Sequence, residues 1–81
     1  MYEVDHLLVR SYQALEDKVR DGPLTEDDIK MVFEIHIAPR LERLQRQLGI
    51  RDPVELKRLE DYIFSKLREK SELLNSQYWS K

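Results

Sequence analysis

One proline sets the terms for this chain. Between Thr25 and Leu48 runs its most apolar stretch, TEDDIKMVFEIHIAPRLERLQRQL, and Pro39 is the only proline lying inside a periodic segment. The stretch opens like a helix. Thr25 suits the N-cap, because its hydroxyl can accept from an amide of the first turn, and Glu26, Asp27 and Asp28 then face the positive end of the helix dipole. Ile29, Phe33, Ile37, Leu41, Leu44 and Leu48 follow at spacings of four and three, which is one face of a helix. Gly49 stands where a C-terminal residue with positive φ is needed. Pro39 interrupts this pattern. It has no amide for the Ile35 carbonyl, and its ring crowds that carbonyl, so the sequence predicts a helix kinked at Pro39 or broken and restarted there. A competing pattern crosses the same residues: Phe33, Ile35 and Ile37 alternate with Glu34 and His36, as in a strand. The cap before, the leucine spacing after and the lack of a partner strand favour helix.

The same segment carries a second apolar stripe. Met31, Ile35 and Ala38 lie roughly 160–180° from the first, with Val32 beside them. A helix apolar on two sides is covered on two sides.

The flanks are amphipathic. A first helix is expected over residues 2–20, with Val4, Leu8, Tyr12, Leu15 and Val19 as its stripe and Leu7 beside it. Asp21-Gly22-Pro23 ends it, and the second helix takes residues 25–48. Asp52-Pro53-Val54-Glu55 opens a third helix with an acid at the N-cap, proline at N1 and Glu at N3. That helix is expected over 53–76, on a stripe of Leu56, Leu59, Ile63, Leu67, Leu74 and Tyr78, with a weak place at Lys70-Ser71 and a short aromatic tail over 77–81. Two short links imply antiparallel neighbours. The expectation is an all-α fold: a small antiparallel up-down-up three-helix bundle, one domain over 1–81, with the middle helix at its centre.

Composition narrows the function classes. The chain has 81 residues, no cysteine and 37% charged residues, so disulfides and thiolate metal sites are excluded and a soluble, cytoplasmic helical domain is expected. No apolar run reaches the ~18 residues of a membrane span. The net charge of −2 is uneven: residues 1–36 hold nine acids and four bases, and residues 37–81 hold seven acids and ten bases.

Catalytic chemistry finds little footing. No serine lies in a nucleophile elbow and no glycine-rich loop cradles phosphate. Glu3 and His6 form one E-x-x-H pair, whereas a di-iron site needs two such pairs and further carboxylates, with Glu34 the spare acid. His36 and Glu34 are about 200° apart on a helix and cannot chelate together. No enzyme activity, metal or cofactor is expected.

Two binding readings remain. Leu44 to Leu59, LQRQLGIRDPVELKRL, resembles a helix–turn–helix with Gly49 in the turn, and Arg40, Arg43, Arg46, Arg51, Lys57 and Arg58 cluster around it, where a nucleic acid would meet them. Gln45 and Glu55 depart from that pattern, and Asp52 and Glu55 open the would-be recognition helix with charges that repel phosphate. The other reading is a protein-interaction module, first of all a homodimer, with Met31, Val32, Ile35 and Ala38 as the contact and Tyr62 or Trp79 as aromatic anchors. Phe64, Leu73 and Tyr78 also lie off or at the end of the third helix's main stripe.

Overall fold

The computed structural model describes residues 2–79, and their side chains over 6–79. Four helical stretches follow one another: α1 (Tyr2–Val19), α2 (Glu26–Val32), α3 (Ala38–Leu48) and α4 (Pro53–Trp79), with a single π-helical turn over Phe33–Ile37 joining α2 to α3 into one middle helix. The fold is an up-down-up three-helix bundle whose middle helix is kinked. α1 and α4 run parallel and pack along each other, and the middle helix returns between them, α2 against both. α4 has 27 residues, or about 40 Å at 1.5 Å each, nearly the whole 45 Å length of the molecule.

The start of α2 forms as its residues dictate. The Asp28 amide donates to the Thr25 hydroxyl (3.3 Å) and the Thr25 amide donates to the Asp28 carboxylate (2.9 Å), so each end of the first turn satisfies the other. At the other end of the middle helix, the Ile50 amide reaches the Gln45 carbonyl and the Gly49 amide the Arg46 carbonyl. That double closure needs a left-handed residue, and Gly49 has φ +68°. α4 starts at the cap read from sequence: Asp52 Oδ1 accepts from the Val54 amide at 2.9 Å. Asp52→Ala is therefore expected to cost on the order of 1 kcal/mol, read as a lower urea midpoint with an unchanged slope.

The π turn is the structural answer to Pro39. The Ala38 amide donates to the Phe33 carbonyl, five residues back, so the ladder gains one residue just before the proline. This also realigns the core. Ile29, Phe33, Ile37 and Leu41 are spaced by four, and on an ideal helix each such step drifts by about 40°, about 120° in all. One inserted residue takes back about 100°. All four of these side chains are buried, together with Leu44. Without the insertion, the stripe of α3 would point well away from that of α2.

The core is a single cluster: Leu7, Leu8, Leu15 and Val19 of α1, Leu24 of the first link, the stripe of the middle helix with Val32, and Leu59, Ile63, Leu67 and Leu74 of α4. Phe33, at the start of the π turn, stacks on Phe64 of α4 with centroids 4.2 Å apart. Asn75 clamps the first link, donating to the Leu24 carbonyl (3.0 Å) and accepting from its amide (2.7 Å). Arg68 grips Glu26 at 2.7 Å. The hydrogen bonds from Arg68 hold the Glu26 carboxyl below its ordinary range, so this exposed pair supports the fold above that range and lets go as pH falls through the lowered value.

Three details depart from the sequence reading. The Ser71 turn does not leave a gap in the seam: Ser71 is buried in line with Leu67 and Leu74, as Ser11 is between Leu8 and Leu15. The Ser11 hydroxyl donates to the Leu7 carbonyl, while that of Ser71 is buried with no partner among the described residues. α4 continues through Gln77 and Tyr78 to Trp79, three residues beyond the expected end. Tyr78 is half exposed and adds nothing to the buried stripe, because α1 ends at Val19, level with Trp79, and offers it no further turn to pack on. The Val4 side chain and the tail residues Ser80 and Lys81 lie outside the described residues.

Candidate functional site

The outer face of the middle helix is the strongest candidate. Met31 is 46% exposed and Ile35 58%, one turn apart, with Ala38 and Pro39 exposed beyond them. Ile35 lies within the π turn itself, a local feature that recurs at functional sites. On the opposite side the same helix is fully engaged: Ile29, Val32, Phe33 and Ile37 are buried.

The structure does not gather all the residues named from sequence. Val32 is withdrawn from the set, being 1% exposed within the core. It stands three residues after Ile29 and so borders the inner stripe, about 100° from Met31. Tyr62 is exposed, but on the wrong side of α4. Phe64, two residues on and hence about 160° around the helix, is the residue that meets the middle helix, at Phe33. The Tyr62 ring instead lies under the Lys66 ammonium, 5.6 Å from its centroid. Phe64, a further candidate anchor, is consumed by its stack on Phe33. Trp79 is 46% exposed, yet its indole Nε1 donates to the Val19 carbonyl at 2.6 Å, closing the C-terminal end of α1. It sits one turn beyond Asn75, which clamps Leu24, while Ile35 lies some eleven residues down the middle helix from Leu24, roughly 16 Å. What remains as one surface is Met31, Ile35, Ala38 and Pro39.

Arg40, Arg43, Arg46, Arg51, Lys57 and Arg58 are all exposed. Arg46 pairs with Glu42 at 3.1 Å and Lys57 with Asp61 at 3.6 Å. Arg40 and Arg43 line an open groove of about 370 Å³ between α1 and α3, with Leu7, Pro39, Leu44 and Gln47; among the described residues no carboxylate lines it. Arg46 and Arg51 border a second hollow beside Gly49 and Ile50, shared with Glu42. The helix–turn–helix likeness does not extend to packing. Its second helix should cross the first closely, whereas α4 makes little contact with α3 and lies along α1 instead.

Among the described residues, no three His, Cys, Asp or Glu side chains come together as a metal site would require, and no helix is long and apolar enough to cross a membrane. His36 is half-buried and Glu34 exposed. The Glu3 side chain lies outside the described residues. What sequence reasoning missed is Leu24 and Asn75, whose mutual clamp joins a link to a helix 51 positions away and leaves no periodic trace. The chain matches no protein-family model, no curated protein and no solved structure.

Proposed function

We propose that this chain is a non-catalytic helical module of the cytoplasm that works by binding another protein on the outer face of its middle helix. The observation that carries this is Ile35, a large apolar side chain 58% exposed beside Met31, on a helix whose inner face already completes the core. Fully covering such side chains is worth about 1.5–3 kcal/mol apiece, so a partner gains by docking there. Among the described residues, Glu26 is held low and Arg68 high by one another, as an exposed ion pair. The abundance of charge and lack of cysteine suit the cytoplasm.

The test is Ile35→Glu. The variant is expected to keep the wild-type circular dichroism and melting curve, while any assembly larger than the 9.8 kDa chain seen by light scattering of the wild type disappears. Loss of the fold in Ile35→Glu would assign the face to the internal core and overturn the reading. The pair of exposed guanidiniums, Arg40 and Arg43, in one groove favours a nucleic acid as the second reading. Affinity for nucleic acid that falls steeply with salt would select it.

A further inference from the structure

Five exposed residues follow one another at a spacing of four along the outside of the middle helix: Asp27, Met31, Ile35, Pro39 and Arg43. On an ideal helix four such steps would drift by about 160° and carry the row round into the core. The π turn takes back about 100° of this, so the row stays on the outside. Its chemistry has a direction: acid, three apolar residues, base.

Resting on the interaction reading above, we propose that the occupant of this face is a second copy of the chain, docked antiparallel about a two-fold axis at Ile35. A residue any number of places before Ile35 then meets the residue the same number of places after it. Ile35 lies on its symmetry mate, Met31 packs on the partner's Pro39, and Asp27 faces the partner's Arg43, twice over because the contact is isologous. A parallel pairing would instead set Asp27 against Asp27 and Arg43 against Arg43.

The charges at the two ends of the row are among those that the described residues leave without an ion pair. Asp28 is held by the Thr25 cap, Glu26 by Arg68, and Glu42 by Arg46. Asp27 and Arg43 make no ion pair within the described residues, and the described residues that line the groove where Arg43 lies include a second guanidinium, Arg40, and no carboxylate. Asp27 of a second copy offers these guanidiniums an anion. The contact follows about 24 Å of one helix on each side, which is the low end of interface sizes, so the dimer is weak and concentration-dependent.

Charge reversal tests the register. In sedimentation equilibrium, Asp27→Arg and Arg43→Asp are each expected to weaken dimerisation on the order of tenfold, since each creates two repulsive pairs. The double variant is expected to return to within about threefold of wild type. The chain has no other cysteine, so Ile35→Cys should oxidise to a covalent dimer, while Met31→Cys should not, its symmetry mates lying about 12 Å apart. A double variant as weak as the singles, or a crosslink at position 31 in preference to 35, overturns the antiparallel register while leaving the interaction face standing. A wild type that stays monomeric to about 1 mM overturns the second copy as occupant. The interaction reading itself falls only if Ile35→Glu unfolds.

Discussion

Ile37→Ala is expected to cost about 2–5 kcal/mol, while Ile35→Ala is expected to change stability by less than about 0.5 kcal/mol. The two isoleucines stand two places apart in one π turn. Ile37 is fully enclosed and Ile35 is 58% exposed. Truncating Ile37 removes three carbons from the middle of the cluster, between the helices that hold it, and leaves a cavity. Small domains have little stability to spare, so this variant should be largely unfolded at moderate temperature. Urea denaturation followed by circular dichroism reads both effects. The pair also decides between the two periodicities present in the sequence. A strand would put Phe33, Ile35 and Ile37 on one face and make the two substitutions alike. Comparable losses at both positions would mean that the segment does not present them to opposite sides.

Much of this was legible because it depends on neighbours in sequence. The Thr25 and Asp52 caps, the Gly49 stop and the leucine spacing of α3 act over three or four residues, and local chemistry is enough to place them. The site was legible only in part, because exposure depends on what other helices cover. Met31 and Ile35 could be seen to oppose the inner stripe, but whether Val32 belonged with them turned on how far α1 and α4 reach around α2. Tyr62, Phe64 and Trp79 all looked like stray aromatics. Phe64 is matched by Phe33 and Trp79 by the Val19 carbonyl, contacts that span 31 and 60 positions. Pro39 announced that the helix must deviate. It did not announce a π turn, because the choice among kink, break and insertion rests on the tertiary register of Leu41 and Leu44.

That register gives the last expectation its size. Insertion of one alanine between Glu34 and Ile35 should unfold the protein, whereas deletion of Glu34 combined with Pro39→Ala should leave it folded. The insertion turns everything after it by about 100°. Ile37, Leu41 and Leu44, all buried now, would leave the core together. At about 1.5–3 kcal/mol for each side chain, the loss is about 5–9 kcal/mol, as large as the whole stability of a domain this size. The deletion works in the opposite sense. It removes an exposed residue from the π turn and converts it to an ordinary α turn, and Ile37, Leu41 and Leu44 keep their direction because the turn had held one residue too many. Pro39→Ala is needed beside it, since proline within a regular helix costs about 3 kcal/mol through the lost amide and the crowded carbonyl. Thermal melts by circular dichroism compare the two. If the insertion melts where the wild type does, or the deletion with Pro39→Ala unfolds, then the π turn is not what aligns the two halves of the middle helix.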